Sequence, residues 1–357
     1  MSRRIVGVDL FCGAGGITLG MRNAGIDAQL GVDKEECFRR TYETNNPGSE
    51  LLAADISKLS GKQLLDSIRL KSDDGFILAA CAPCQPFSAH NKKNILRGYD
   101  DERSNLLSQV SRIIEEIQKK PDYIFVENVP GLNDARHPIF ERFEEVLYRL
   151  RYTCVSDTID AARYGVPQHR RRFILIGKRK IAHLSFPEPT HGPNKKDYET
   201  VGMWLKGLPP IRAGGASKSI PNHECRNLSQ INLRRIRSVP KSGGSRDSFS
   251  KDLVLECHKK KDVGHKDVYG RMDWDKPAPT ITTKCVCLSN GRFGHPTQDR
   301  AMSIREAARL QTFPDSYIFY GSGIDSKAAQ IGNAVPVRLA AVFIRHLIGK
   351  TDNDSKQ

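Results

Sequence analysis

The run IVGVDLFCGAGGITLG, from Ile5 to Gly20, restricts the fold more than any other part of the chain. Ile5 to Leu10 is a short, mostly apolar stretch between Arg4 and the glycine-rich FCGAGG, the pattern of a buried strand and too short for a helix. FCGAGG then turns the chain into a helical pattern from Ile17 to about Asn23. A strand that opens through glycines into a helix is the first half of a βαβ crossover, and it exposes backbone N–H groups to a ligand at the helix N-terminus. The alternation continues. AQLGVD (ending at Asp33), FILAA (Phe76 to Ala80), YIFV (Tyr123 to Val126) and RFILIG (Arg172 to Gly177) read as strands. Leu106, Leu107, Val110, Ile113, Ile114 and Ile117 recur at helical spacing, and so do Phe140, Phe143, Val146, Leu147 and Leu150. Together they predict a doubly wound α/β domain on a parallel sheet with crossover helices.

A chain of 357 residues favours two domains. After about residue 183 the character changes: SFPEPTHGPNKK, GLPPIRAGG and PKSGGSR are rich in Pro, Gly and Ser with weak periodicity. Helical patterns return around Ser303 to Gln311 and from about Val335 to Ile348. The expected division is a catalytic domain over 1–183 plus 327–350, a smaller, irregular, β-containing domain over 184–326, and a flexible tail over 351–357. The small domain is then an insertion, because the last helix must return to the first domain.

Lys and Arg exceed Asp and Glu by fifteen, which favours a polyanionic partner. Between Ser185 and Lys266 there are 16 Lys/Arg against 8 Asp/Glu, so eight of that fifteen fall in under a quarter of the chain. No apolar run approaches the roughly twenty residues of a membrane span, and the basic start leads straight into a glycine loop rather than a signal peptide. Nine cysteines, odd in number and irregularly spaced, argue against a disulfide framework. These features predict a soluble cytoplasmic protein with no membrane association.

AACAPCQPFSAH, Ala79 to His90, offers three chemistries: a metal-binding C-x-x-C, a redox pair, or one working thiol. A structural zinc site needs two more ligands. His223, Cys225, Cys257, His258, Cys285 and Cys287 are scattered, and no second C-x-x-C exists. A thioredoxin-like pair opens a helix, whereas Pro83 and Pro86 flank Cys84 and disfavour one. A lone nucleophile, Cys84, at the carboxyl end of a strand fits better, with no metal and with Cys81 as a small buried hydrophobe. Glu127 and Asn128 in VENVPG lie just past another strand, on the edge where open α/β sheets hold ligands. Asp33, twenty residues after Gly13 at a strand end, is placed to meet ribose hydroxyls.

FCGAGG, PCQPFS, ENVPGL, QHRRRF and QIGNAVP stand in the order and approximate spacing of the DNA cytosine-5 methyltransferase family, which the chain resembles from about Val6 to Leu347. That resemblance implies a Rossmann-like S-adenosylmethionine-dependent methyltransferase domain with a smaller target-recognition domain. By position, Phe11 packs on the cofactor, Gly13 and Gly15 shape its loop, Asp33 binds the ribose, and Asp55 meets the adenine amino group with Ile56 against the ring. Asn333 closes the methionine end from a late helix N-terminus. Lys34 departs from the pattern, since the family more often has an apolar residue there. Cys84 matches the nucleophile that adds to C6, and Glu127 the group that grips N3 and the exocyclic amine. Arg170 and Arg172 match arginines that hold the pyrimidine carbonyl and the neighbouring backbone. The base must be flipped out of the duplex, and the basic segment Ser88 to Arg103 suits a loop closing over DNA, with Gln85 and Ser88 as substrate contacts.

The implied partner of a monomeric, nucleoid-associated enzyme is double-stranded DNA, and a restriction or defence partner is compatible with it. Two alternatives stand beside this: a transfer-RNA methyltransferase, and an inactive DNA-binding or zinc-stabilised relative. Within the small domain, Asn232 to Lys266 is the densest basic stretch. Gly243 and Gly244 there would let the backbone pass close to DNA and set Arg246 at a groove to read bases.

Overall fold

The computed structural model describes residues 3–83, 106–133, 139–259 and 267–350. Its contacts divide the chain into two units. The first comprises Met1–Tyr164, Arg171–Pro189 and Val335–Gln357, and the second comprises Gly165–Arg170 and Thr190–Ala334. These boundaries differ from the sequence expectation chiefly at the helix Ile324–Asn333, which lies in the second unit. It packs there on the helix Ile304–Leu310. Gly332 sits so close to the backbone of Thr282 and Thr283 that a Cβ would lie 2.2 Å from it.

The first unit is built on a seven-stranded sheet: β1 (Ile5–Leu10), β2 (Asp27–Asp33), β3 (Glu50–Ala53), β4 (Gly75–Ala80), β5 (Tyr123–Asn128), β6 (Tyr152–Asp160) and β7 (Arg171–Arg179). The spatial order is β3-β2-β1-β4-β5-β7-β6. β1 to β5 are parallel, as their patterning predicts, whereas β7 runs antiparallel to both β5 and β6. The short link from β6 to β7 holds only the 3-10 turn Ala161–Tyr164, and parallel neighbours need a longer crossover. Described helices of this unit include α1 (Gly16–Asn23), α2 (Arg39–Asn45), α3 (Gly61–Asp66), α4 (Leu106–Glu116), α5 (Ile139–Arg149) and a C-terminal helix, Val337–Leu347. The core is aliphatic and aromatic, from Val8, Leu30 and Phe76 through Ile113 and Phe143 to Phe173.

The C-terminal helix closes on α1. A Cβ added at Gly20 would stand 2.6 Å from the Ala340 methyl, so only glycine permits the approach. Arg345 Nη2 donates to Asn23 O at 2.7 Å and finishes the contact.

The second unit has four described helices, Val201–Leu205, Gln230–Ser238, Ile304–Leu310 and Ile324–Asn333. Its β structure among the described residues is limited to isolated bridges. A loop-rich unit lacks ladders to satisfy buried carbonyls, so something else must donate to them. Three fully buried arginines do so. Arg271 reaches Ile236 O, Val239 O, His295 O and Gln298 O, and Arg305 reaches Pro221 O, Pro314 O and Tyr317 O. Arg300 holds Glu306 in a fork, at 2.8 and 2.6 Å. Part of the basic surplus therefore serves the interior.

Burial alone would push the Glu306 pKa up, but hydrogen bonds and charge from Arg300 hold it down to about 2. Burial also pushes His295 down to about 4. In the unfolded chain the two groups take up protons near 4.3 and 6.5. As pH falls, the unfolded state binds protons before the native one, so stability declines from about pH 6.5 toward pH 2. Arg300→Ala strands the Glu306 carboxylate and is expected to cost about 3–5 kcal/mol at neutral pH. Urea midpoints measured from pH 7 to 3 test both statements. A variant that matches the parent throughout contradicts them.

Candidate active site

The candidate site lies at the carboxyl ends of β4 and β5. Their register pairs Ala80 with Val126, which brings the next residues, Cys81 and Glu127, side by side. Glu127 is the penultimate residue of β5, not a residue beyond it. Its carboxylate is buried, at 3% exposure. Oε2 accepts a hydrogen bond from Cys81 Sγ at 2.9 Å. Oε1 forms an ion pair with Arg172 Nε at 3.0 Å, and β7 supplies that arginine from the strand beside Glu127. Cys81 is thus no inert apolar filler: its thiol is spent on a carboxylate. Asn128 Nδ2 donates to Ala82 O at 3.1 Å, and its Oδ1 accepts from Val129 N at 2.7 Å. The first of these bonds crosses between the strand ends and fixes the backbone at Ala82. Cys84, Gln85, Ser88 and the segment to Arg103 lie outside the described residues.

The glycine loop forms a second cluster, after β1. Phe11, Gly13 and Gly15 all have positive φ, at 62°, 50° and 87°. The first is a left-handed conformation that a phenylalanine adopts only when the surroundings impose it. Asp33 ties the loop to the end of β2, with Oδ2 accepting from Gly13 N at 2.9 Å and Oδ1 from Glu35 N at 3.0 Å. Burial raises its pKa. Asp9, fully buried beneath the loop, accepts from Thr18 N and Oγ1 and so fixes the start of α1, and burial pushes its pKa up to about 7. At Gly13 no described atom lies within 4 Å of where a Cβ would stand. The N-cap residue of α1, Gly15, offers no side-chain hydrogen bond, the first turn carries no acidic residue, and Asp9 accepts from the Thr18 N–H of that turn. An open glycine loop at a helix N-terminus, with a strand-end acid beside it, fits a ligand that carries both a polar group for the loop N–H groups and sugar hydroxyls.

The model of the C-5 cytosine-specific DNA methylase family matches residues 5–349. The chain belongs to that family. Type II methylase M.HgiDII of Herpetosiphon aurantiacus is 40% identical over 95% of this chain and 94% of its own. Type II methyltransferase M1.HphI of Haemophilus parahaemolyticus is 34% identical over 97% and 87%. Among solved structures, a prophage-encoded DNA modification methyltransferase from E. coli superposes with a TM-score of 0.74 at 24% identity, covering 97% of this chain and 99% of that one. That last likeness speaks to fold, which is the Rossmann-like arrangement of a methyltransferase. Family and fold together imply a methyl donor.

The remaining predicted residues of the methylase fall as follows. Asp55 is exposed, with Oδ1 accepting from Ser57 N and Oγ, while Ile56 is in the core at 4% exposure, so little of it remains for a ligand ring. Asn333 is exposed and ends a helix instead of beginning one. Arg170, at 2% exposure, donates to Ile281 O, and to Gly332 O and Ala334 O on either side of Asn333. In the second unit it braces the segment that carries Asn333, instead of turning its terminal nitrogens outward. Gly243 and Gly244 answer internal demands: Gly243 takes φ 86°, and a Cβ on Gly244 would meet Pro240 O at 2.2 Å. Arg246 is half-buried, and its Nη1 has no hydrogen-bond partner among the described residues. Neighbouring basic residues are paired, Arg234 with Asp252 and Lys241 with Asp299.

No group of three or more metal-ligating side chains is assembled among the described residues. His223 is occupied by Ser303 and Pro209 O, and Cys225 by Arg212 O. No described helix is long and apolar enough to cross a membrane.

Proposed function

We propose that this methylase transfers a methyl group to carbon 5 of cytosine in a specific sequence of double-stranded DNA, with Cys84 as nucleophile and S-adenosylmethionine as donor. The observation that carries this is the buried Glu127 carboxylate, held from two sides at the strand ends that lead into Cys84. Carbon 5 of cytosine is a poor nucleophile because its electrons are delocalised around the ring. Addition of the Cys84 thiolate to C6 breaks that delocalisation and leaves C5 enamine-like. Glu127 grips N3 and the exocyclic amine, where charge develops, and a preoriented group there lowers the barrier. Arg172, paired with Glu127, would meet the pyrimidine carbonyl. A base then removes the C5 proton, and Cys84 leaves C6.

Bound S-adenosylmethionine supplies an electrophilic methyl group; Phe11, Gly13, Gly15, Asp33 and Asp55 would hold it, with Asn333 at its methionine end. A stacked cytosine hides C5 and C6, so the base must leave the duplex, and Gln85 and Ser88 would contact the opened strand. Sequence choice belongs to the basic segment 232–266, in which Arg246, whose Nη1 has no hydrogen-bond partner among the described residues, is the candidate reader. The cell compartment that fits this substrate is the cytoplasm, at the nucleoid.

DNA is favoured over transfer RNA by the likeness to type II methylases that share 40% and 34% of their aligned residues with the chain. Purified protein with methyl-labelled cofactor, offered duplex DNA and transfer RNA in parallel, should label DNA at least roughly a hundredfold faster, as expected where a polar site rejects the wrong substrate. Preferential labelling of transfer RNA would overturn the choice.

A further inference from the structure

We infer that Cys81 is a positioning residue for Glu127: its S–H donates the hydrogen bond that orients Oε2, while Arg172 contributes charge 3.0 Å from Oε1 without a hydrogen bond, so the carboxylate is oriented before cytosine arrives. The inference rests on the reading of Glu127 as the group that grips the base.

Cys81 is well placed to act this way. Its backbone N donates to Leu10 O at 3.2 Å, so its main chain is pinned to the end of β1. On the other side, Asn128 ties Ala82 to β5. The Cys81 backbone is therefore held between two strands, and its thiol meets Glu127 from a fixed origin. Burial, with the Glu127 charge beside it, pushes the thiol pKa well above its ordinary value. Cys81 consequently stays protonated at neutral pH, a donor and not a nucleophile, whereas the chemistry assigned to Cys84 requires a thiolate. An apolar residue here would leave Oε2 buried without a partner, a costly arrangement that invites the carboxylate to rotate. Thus the two cysteines of CAPC divide the work: Cys84 reacts, and Cys81 orients the group that stabilises the reaction.

The test uses Cys81→Ala, Cys81→Ser, Glu127→Gln and the double variant Cys81→Ala/Glu127→Gln, with kcat and both KM values from steady-state methyl transfer to duplex DNA. Cys81→Ala is expected to lower kcat about tenfold, the size of one lost hydrogen bond to a charged group. Its KM for S-adenosylmethionine should stay within about twofold, because the cofactor loop follows a different strand. Cys81→Ser, which keeps a donor on a shorter arm, should recover to within about threefold of the parent. In the Glu127→Gln background, Cys81→Ala should cost no more than about twofold further, since its effect runs through Glu127. Wild-type kcat in Cys81→Ala, a serine as slow as the alanine, or a full tenfold loss on top of Glu127→Gln would each overturn the inference. Should Cys81→Ala fail to bind cofactor, Cys81→Ser and Cys81→Ser/Glu127→Gln carry the same cycle. A Glu127→Gln variant with the parent's rate would instead remove the reading of Glu127 itself.

Discussion

Cys84→Ser is expected to abolish turnover, by at least roughly a thousandfold, while affinity for S-adenosylmethionine stays within about twofold. In the proposed mechanism the attacking species is a thiolate, and a serine hydroxyl at neutral pH supplies almost no alkoxide and has no thiol's intrinsic nucleophilicity. Without addition at C6, C5 remains part of a delocalised ring, and every later step stops. The proposed cofactor residues Phe11, Gly13 and Asp33 lie at the ends of β1 and β2, and a Gly13–Asp33 hydrogen bond of their own holds the loop, so the substitution leaves them intact. Single-turnover methyl transfer and calorimetric cofactor titration on the same preparation separate the two effects. Appreciable methylation by the serine variant would contradict the assignment of the nucleophile.

Glu127→Gln is expected to lower kcat by a factor of roughly a hundred or more, the range lost with one preorganised stabilising group. The amide fills the same space without the charge, and it removes the ion-pair partner of Arg172 from a buried site. Because the loss falls on the transition state, KM for DNA should change far less than kcat. The expected kcat-weighted pattern separates a catalytic group from a structural one. A glutamine variant that is slow only because it no longer binds DNA would speak for structure.

How far the sequence led depended on which forces placed each residue. Where burial and backbone geometry decide, the reading held: the limits expected for β1 at Ile5 and Leu10 are those observed, and the glycine loop takes the positive φ values its residues suit. β6 escaped because YTCVSDTID is half-buried and offers no apolar run. The role of Cys81 was within reach, since two parallel strands ending at Ala80 and Val126 place the next residues together. It was hidden by treating a cysteine in an apolar run as filler. Arg271, Arg300 and Arg305 could not be told from DNA-binding arginines, because composition does not distinguish a cation buried among carbonyls from one at the surface. The same holds for Arg170, whose partners Ile281, Gly332 and Ala334 are more than a hundred residues away. Gly243 and Gly244 were credited with an approach to DNA, whereas a tight turn against Pro240 already requires glycine.

Bisulfite sequencing of DNA from cells that express the protein tests the central claim most directly, because it reports both the modified atom and its sequence context. The account predicts fully protected cytosines at one short recognition sequence, absent when Cys84 is replaced by serine. Unprotected cytosines throughout, or protection scattered without a shared sequence, would contradict it.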